Sequence, residues 1–209
     1  MQKKKIDIFN LVKLEIINNI KSYVIVTAFF TIGVFLGVMF INYSDSKENI
    51  EKYINTYIDE TKQIQNVDYF REQKDELQNN IGLVVLLWFA GTTIIGIPIV
   101  FGIILVRGFC LGYTIASYVC ILGKLKGILF IFISIFLQNL IIIPSIIILG
   151  VSSIKLYKSI IKDRRKENIK ISILKHSIIS ISIAIVLILA TFVKIQISYR
   201  LILLLVKYF

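Results

Sequence analysis

The chain has 209 residues, of which 56% are hydrophobic, and it carries a net charge of +11. Its mean hydropathy of +0.80 exceeds what a soluble domain of this length can bury, so the composition excludes a soluble globular protein. The basic residues flank long apolar runs and form no separate basic groove, which argues against nucleic-acid binding. We predict a single all-α, polytopic membrane domain with about five transmembrane helices.

The chain begins with a basic segment, residues 1–21, which contains five lysines and is predicted to be cytoplasmic. Residues 22–42 form the predicted first span, because about twenty uncharged apolar residues suffice to cross a bilayer. Since no cleavage motif follows, this run is predicted to be a signal anchor. Small residues at about four-residue spacing predict close packing against another helix: Thr27, Thr31, Gly33 and Gly37.

Residues 43–80 are hydrophilic and acidic overall, and we predict that they form an extracytoplasmic helical segment. Residues 43–79 hold nine acidic against five basic residues. Apolar positions recur at three- and four-residue spacing, which predicts one or two amphipathic helices. These positions are Ile50, Tyr53, Ile54, Tyr57, Ile58 and Ile64.

Residues 81–106 are the predicted second span, interrupted by Gly91, Gly96 and Pro98, which predict a kink. Arg107 then separates this span from residues 108–122, the predicted third span. We interpret Arg107 as a cytoplasmic turn of a helical hairpin. The alternative is that Arg107 holds a lipid phosphate or an acidic partner.

Residues 127–150 are the predicted fourth span, which contains Gln138, Asn139 and Pro144. Uncharged amides in an apolar helix need hydrogen-bond partners, so we expect the two amides to face another helix or subunit. Lining a ligand path is the alternative for these two side chains.

Residues 151–176 form a predicted cytoplasmic loop, because eight bases occur between Lys155 and Lys175. The predicted fifth span, residues 177–193, and a tail, residues 194–209, complete the chain. For the tail we prefer an interfacial helix over an extension of the fifth span. The lone His176 is expected to be interfacial, without a special role.

We place the basic segments 1–21 and 151–176 in the cytoplasm. The acidic segment 43–80 and the carboxyl terminus then lie outside, which requires an odd number of spans. The candidates for helix packing or partner contact in this arrangement are Gly91, Gly96, Pro98, Arg107, Gly108, Gly112, Gln138, Asn139 and Pro144.

The spans lack the groups that intramembrane chemistry uses. No acidic residue occurs between Glu76 and Asp163, so proton or sodium coupling lacks its usual carriers. No metal-ligand spacing and no G-x-S-x-G motif is present. Cys110 and Cys120 are too far apart on a helix to pair. We therefore expect no enzymatic activity, no cofactor and no metal.

Three blocks of the sequence resemble the stage II sporulation protein M family in order and spacing: Leu87–Pro98 (LWFAGTTIIGIP), Arg107–Thr114 (RGFCLGYT) and Gln138–Pro144 (QNLIIIP). Relatives often carry proline where Leu137 stands, lysine where Arg107 stands and, in some cases, an acidic residue near Lys194.

This resemblance implies a multi-pass, non-enzymatic component of the engulfment machinery in the mother-cell membrane of spore-forming bacteria. It implies that the protein localises two peptidoglycan-degrading partners, stage II sporulation proteins D and P. Contact with membrane lipid and a homodimer are further expectations. A permease or channel subunit for a small solute is the alternative function.

Overall fold

The chain folds as a helical bundle in a computed structural model, which describes residues 8–43, 50–52, 54, 56, 69–93, 95–132, 137–162 and 166–206. The described residues contain no strand, so the all-α prediction is confirmed for them. The helices are α1 (Ile8–Asn18), α2 (Ile20–Tyr43), α3 (Tyr69–Thr92), α4 (Gly96–Leu122), α5 (Lys124–Ile131), α6 (Leu137–Lys162) and α7 (Lys166–Val206).

Within the described residues, four helical stretches are long and apolar enough to cross a membrane: Ile20–Tyr43, Gly96–Leu122, Asn139–Ile161 and Ile169–Val193. These lie in α2, α4, α6 and α7. Helix α3 does not qualify because its first half is polar and charged, whereas its second half, from Ile81, is apolar. The structure therefore supports four apolar spans of the five predicted.

Contacts between helices fix their directions. Gly33 lies against Leu105 and Gly37 against Phe109, so α2 and α4 run parallel. Helix α6 runs opposite to α2, because its Gly150 lies beside Val26 while its Lys158 binds Ser22. Helices α3 and α7 are likewise antiparallel, as two hydrogen bonds between them show. We call the end of the bundle where α2 begins and α6 ends the basic end, and the other the far end.

The predicted turn at Arg107 is wrong. Arg107 lies inside the continuous helix α4, and the chain instead breaks at residues 93–95, between α3 and α4. Pro98 falls in the first turn of α4, where a missing backbone N–H costs nothing, so the break precedes it. The predicted second and third spans are thus divided differently: residues 81–92 belong to α3, and residues 96–122 form one helix.

Three later boundaries also differ from prediction. The region predicted as the fourth span, 127–150, is divided between α5 and α6, while residues 133–136 lie outside the described part. Most of the predicted loop 151–176 is helical, because α6 extends to Lys162 and α7 begins at Lys166. Helix α7 then continues to Val206, so the backbone follows the alternative for the tail, an extension of the last span.

The core of the bundle is one apolar cluster that α2, α3, α4, α6 and α7 all contribute to. Its fully buried members include Val26, Leu87, Val100, Ile104 and Leu149.

A second, smaller cluster lies at the far end. There Ile54, only 2% exposed, packs with Phe130 of α5, and Ile50 packs against them. Ile50 and Ile54 are two of the apolar positions in the acidic segment. The positions at Tyr53, Tyr57, Ile58 and Ile64 lie outside the described residues.

Candidate functional site

Four glycines bring the backbones of α2 and α4 into direct contact. A Cβ atom added to Gly33 or Gly37 would overlap with the carbonyl oxygens of Leu105 or Phe109. The reverse holds for Gly108 and Gly112, which face the carbonyl oxygens of Phe30 and Val34. We call these four glycines the glycine seam. Since small residues allow such close approach in a lipid environment, the seam fixes α2 and α4 as one rigid pair.

The small-residue stripe predicted on α2 divides between two surfaces. Gly33 and Gly37 belong to the glycine seam, whereas Thr27 and Thr31 line a shallow apolar groove on the surface of α2. The Thr31 hydroxyl donates to the Thr27 carbonyl at 2.9 Å, so this pair satisfies its polar groups within its own helix.

Arg107 lies near the middle of the bundle, and not at a turn. Its neighbours Leu105 and Gly108 pack beside Gly33 and Phe30, which lie halfway along α2. The half-buried Arg107 lines a pocket of about 150 Å³, together with Cys110, Leu111, Thr114 and Asn139. We call this the Arg107 pocket.

The carboxylate of Glu76 on α3 has a favourable electrostatic interaction with the guanidinium of Arg107. The two residues are 31 positions apart in sequence, and no local pattern predicts this interaction. The structure thus brings Arg107 and Asn139, two predicted packing or contact residues, into one polar pocket with an acidic neighbour.

The other predicted residues of the fourth span lie apart from this pocket. Gln138 lies in the first turn of α6, and its side chain is outside the described part. Pro144 is inside α6 with an exposed side chain.

His176 is buried, at 1% exposure, which contradicts the interfacial position expected for it. Its Nδ1 lies 2.8 Å from the Ser152 hydroxyl of α6. Its Nε2 makes no hydrogen bond of good geometry with the described residues, although the Trp88 backbone lies close. No local pattern predicts this burial, because His176 directly follows Lys175 beside a basic stretch.

Because Gly91 has no side chain, it leaves the space that the imidazole of His176 occupies. A Cβ atom on Gly91 would come within 2.5 Å of the Ser153 hydroxyl and 2.7 Å of His176 Nε2. Gly91, Ser152, Ser153 and His176 therefore form a sealed polar junction between α3, α6 and α7, which we call the histidine junction. The Trp88 indole N–H donates to the Ser177 hydroxyl at 3.0 Å beside it.

Gly96 and Pro98 begin α4 at the basic end. Gly96 is buried against the carbonyl of Ala90, so it closes the connection between α3 and α4, whereas Pro98 is exposed.

A third polar contact joins α3 to α7 nearer the far end. The Asn80 amide donates to the Thr191 hydroxyl at 3.1 Å, and both side chains are buried. The Thr191 hydroxyl in turn donates to the carbonyl of Leu187.

Among the residues described, no three His, Cys, Asp or Glu side chains come close enough to hold a metal ion. Cys110 and Cys120 are both exposed thiols on α4.

The architecture defines a helical membrane protein whose polar groups lie between tightly packed helices. Residues 26–198 match the family described as Stage II sporulation protein M. The chain belongs to this family, so the resemblance drawn from the three sequence blocks is confirmed. No curated protein and no solved structure matches the chain. Family membership and the four apolar helices together indicate a sporulation-related membrane protein.

Proposed function

We propose that the protein is a non-enzymatic scaffold of the engulfment machinery, which anchors peptidoglycan-degrading partners at the mother-cell membrane. The proposed partners are stage II sporulation proteins D and P, as the family resemblance implies. In this proposal the partners cut the cell wall and this chain holds them in place.

The proposed topology has five crossings, with the basic end in the cytoplasm. Helix α3 supplies the fifth crossing, since it is 24 residues long and its Val84, Leu87 and Ala90 are buried within the bundle. Lys155 and Lys158 at the basic end agree with the positive-inside rule. The acidic segment then faces the extracytoplasmic side, where the wall is.

The observation that carries the proposal is the packing of Ile54 onto Phe130 at the far end. It attaches part of the acidic segment to a bundle that the glycine seam makes rigid. A scaffold needs such a surface outside the membrane, because a partner held by a loose segment would not be positioned.

The histidine junction supports a non-enzymatic role. A serine paired with a histidine is an arrangement used for nucleophilic catalysis. Here Ser152 is 6% exposed and His176 is 1% exposed, and Gly91 packs directly against His176. A substrate carbonyl therefore has no access to the serine oxygen.

Recruitment in sporulating cells tests the proposal. We expect Ile54→Ser to release the acidic segment and to abolish both the localisation of the wall hydrolases and their copurification with the chain. The matched control is Leu125→Ser in α5, because Leu125 is 79% exposed and lies outside the Ile54–Phe130 cluster. Normal recruitment by Ile54→Ser, at a membrane level equal to that of the control, would contradict the proposal.

The Arg107 pocket is the one observation that favours a permease or channel subunit, because Asn139 lines it. Gly96, where the chain breaks before α4, is instead sealed against Ala90 at the basic end of the bundle. Transport of a small solute by purified protein in liposomes would support this second function.

A further inference from the structure

Arg107 is a cation near the middle of two membrane-spanning helices. Its neighbours Leu105 and Gly108 lie beside Gly33 and Phe30, and ten residues of α2 lie on either side of the stretch from Phe30 to Gly33. At 1.5 Å per residue, each end of α2 is about 15 Å away, and the hydrocarbon layer of a bilayer is about 30 Å thick in total. A guanidinium at this depth is costly, so it is expected to serve a polar partner.

The donors of Arg107 are not used by the residues around it. The guanidinium carries five N–H donors and no acceptor, and it has no hydrogen bond or ion pair within the part of the chain that the structure describes. Glu76 acts on its charge but does not line the Arg107 pocket. The donors of Arg107 are therefore available to a group that enters the pocket.

The Arg107 pocket lies at the perimeter of the bundle. Its lining residue Cys110 is exposed, and so are Val106 and Leu140, the sequence neighbours of Arg107 and Asn139. The volume of about 150 Å³ holds about five water-sized groups at roughly 30 Å³ each, which is room for the side chain of an aspartate or a glutamate. A recessed cation within an apolar surface fits a membrane helix that presents one acidic side chain.

The depth of the pocket and the sequence of the chain narrow the source of that side chain. The pocket extends along α4 from Arg107 to Thr114, about 10 Å, and so lies within the hydrocarbon layer, whereas lipid phosphates lie outside this layer. A second copy of the chain offers no suitable acid, because its four apolar helices contain none. Glu76 of such a copy already has an interaction within its own chain.

We propose that the Arg107 pocket is the docking point for a transmembrane helix of a different protein, which inserts an aspartate or glutamate side chain. In the complex the carboxylate accepts hydrogen bonds from the guanidinium of Arg107, and the apolar surface around Val106 and Leu140 packs against the partner helix. This surface lies within the membrane, apart from the Ile54–Phe130 cluster. The inference therefore goes beyond the scaffold proposal and can fail independently of it.

A designed helix tests the docking point. The full chain with Cys120→Ser is reconstituted into phosphatidylcholine vesicles together with a synthetic leucine helix of about 20 residues, which spans the bilayer. Three such peptides carry glutamate, glutamine or leucine at their centre, each with a cysteine one turn away. The measurement is the rate of disulfide formation with Cys110. The matched control is Phe35→Cys in a chain without other cysteines, because Phe35 is 62% exposed on α2.

We expect the glutamate peptide to cross-link to Cys110 at least fivefold faster than the glutamine and leucine peptides, with no such preference at position 35. Equal rates for glutamate and glutamine at Cys110 would overturn the proposal, because the charge of Arg107 would then not contribute. An equal preference for glutamate at position 35 would also contradict it, since that preference could not come from the pocket.

Substitutions of Arg107 test whether its charge selects the peptide. Arg107→Gln should remove the preference for glutamate, and Arg107→Glu should reverse it in favour of a peptide with lysine at its centre. Cross-linking of the leucine peptide should be the same in both variants as in the parent chain, which reports that the bundle remains folded. A preference for glutamate that survives in Arg107→Gln would show that another group binds the carboxylate, and the assignment of Arg107 would be wrong.

An anionic lipid is the competing source of a negative charge. We expect the preference for the glutamate peptide to persist when half of the phosphatidylcholine is replaced by phosphatidylglycerol, because the pocket lies below the level of the phosphates. Loss of the preference in these vesicles would mean that a lipid headgroup occupies the pocket, and it would rule out a partner helix as the occupant.

Discussion

The two sides of the bundle are joined by different means. Helices α2 and α4 meet through the glycine seam, backbone against backbone. Helices α3, α6 and α7 meet through polar side chains, at the histidine junction and at the Asn80–Thr191 bond. In lipid the hydrophobic effect does not drive helices together, so close packing and hydrogen bonds between helices hold the bundle instead.

The two kinds of contact respond differently to amino-acid substitution. Backbone contact in the seam tolerates no added atom, since neither backbone can move away without separating the helices. A polar side-chain contact can be removed without creating a steric clash. Its loss therefore costs only about the free energy of the hydrogen bonds that it makes.

The largest loss of stability is expected for Gly112→Val in the glycine seam. The added side chain would overlap with the Val34 carbonyl, and overpacking against backbone should destabilise the bundle by about 3 kcal/mol or more. The control is Gly102→Val on the same helix, where an added Cβ meets nothing within 4 Å. Unfolding in mixed micelles measures the difference, and similar stability of the two variants would argue against the seam.

A smaller loss is expected for His176→Ala. It empties the buried volume of the imidazole and leaves the Ser152 hydroxyl without its partner, which together should cost about 2–3 kcal/mol in free energy of unfolding. Ser182→Ala provides the baseline, because Ser182 is exposed and bonds only to the Ile178 carbonyl of its own helix. A cost for His176→Ala no greater than that baseline would contradict the buried position of the imidazole.

The Asn80–Thr191 hydrogen bond should contribute less to stability than the side chain of His176. Double-mutant cycles with Asn80→Ala and Thr191→Val are expected to give a coupling free energy of about 0.6 kcal/mol, typical of hydrogen bonds between membrane helices. Thr31→Val, which removes a bond within α2 only, should show no coupling to Asn80→Ala. Zero coupling in the first cycle would mean that the bond does not form.

The smallest effect is expected for the ion pair of Glu15 with Lys155, which joins α1 to α6 at the basic end. Both side chains are substantially exposed, at 52% and 41%, so Glu15→Gln should change stability by less than about 0.5 kcal/mol. The change should vanish at 1 M salt, where screening acts within about 3 Å. A larger cost that persists in salt would show that α1 is held more firmly than this exposure implies.

The sequence predicted the features that depend on local pattern. Small residues at Gly33 and Gly37 indicated a close helix contact, and the structure shows one. This signal lies within one helix and is set by spacing alone.

The features that the sequence could not predict depend on partners distant in the chain. A charge within an apolar run is typical of a turn, whereas Arg107 lies inside α4, half-buried in a pocket that Asn139 of α6 also lines. His176 adjoins a basic stretch that favours an interfacial position. Its burial results from Gly91 and Ser152, which lie on two other helices.

The parallel pairing of α2 with α4 has a consequence for how the chain is made. The contact between Gly33 and Leu105 spans about 70 residues, so at synthesis rates of about 5–20 residues per second the second helix emerges roughly 4 to 14 s after the first. During this interval the first helix waits in the bilayer with an uncovered glycine face. Insertion therefore has an enforced order, in which the intervening polypeptide must enter the membrane before the glycine seam can close.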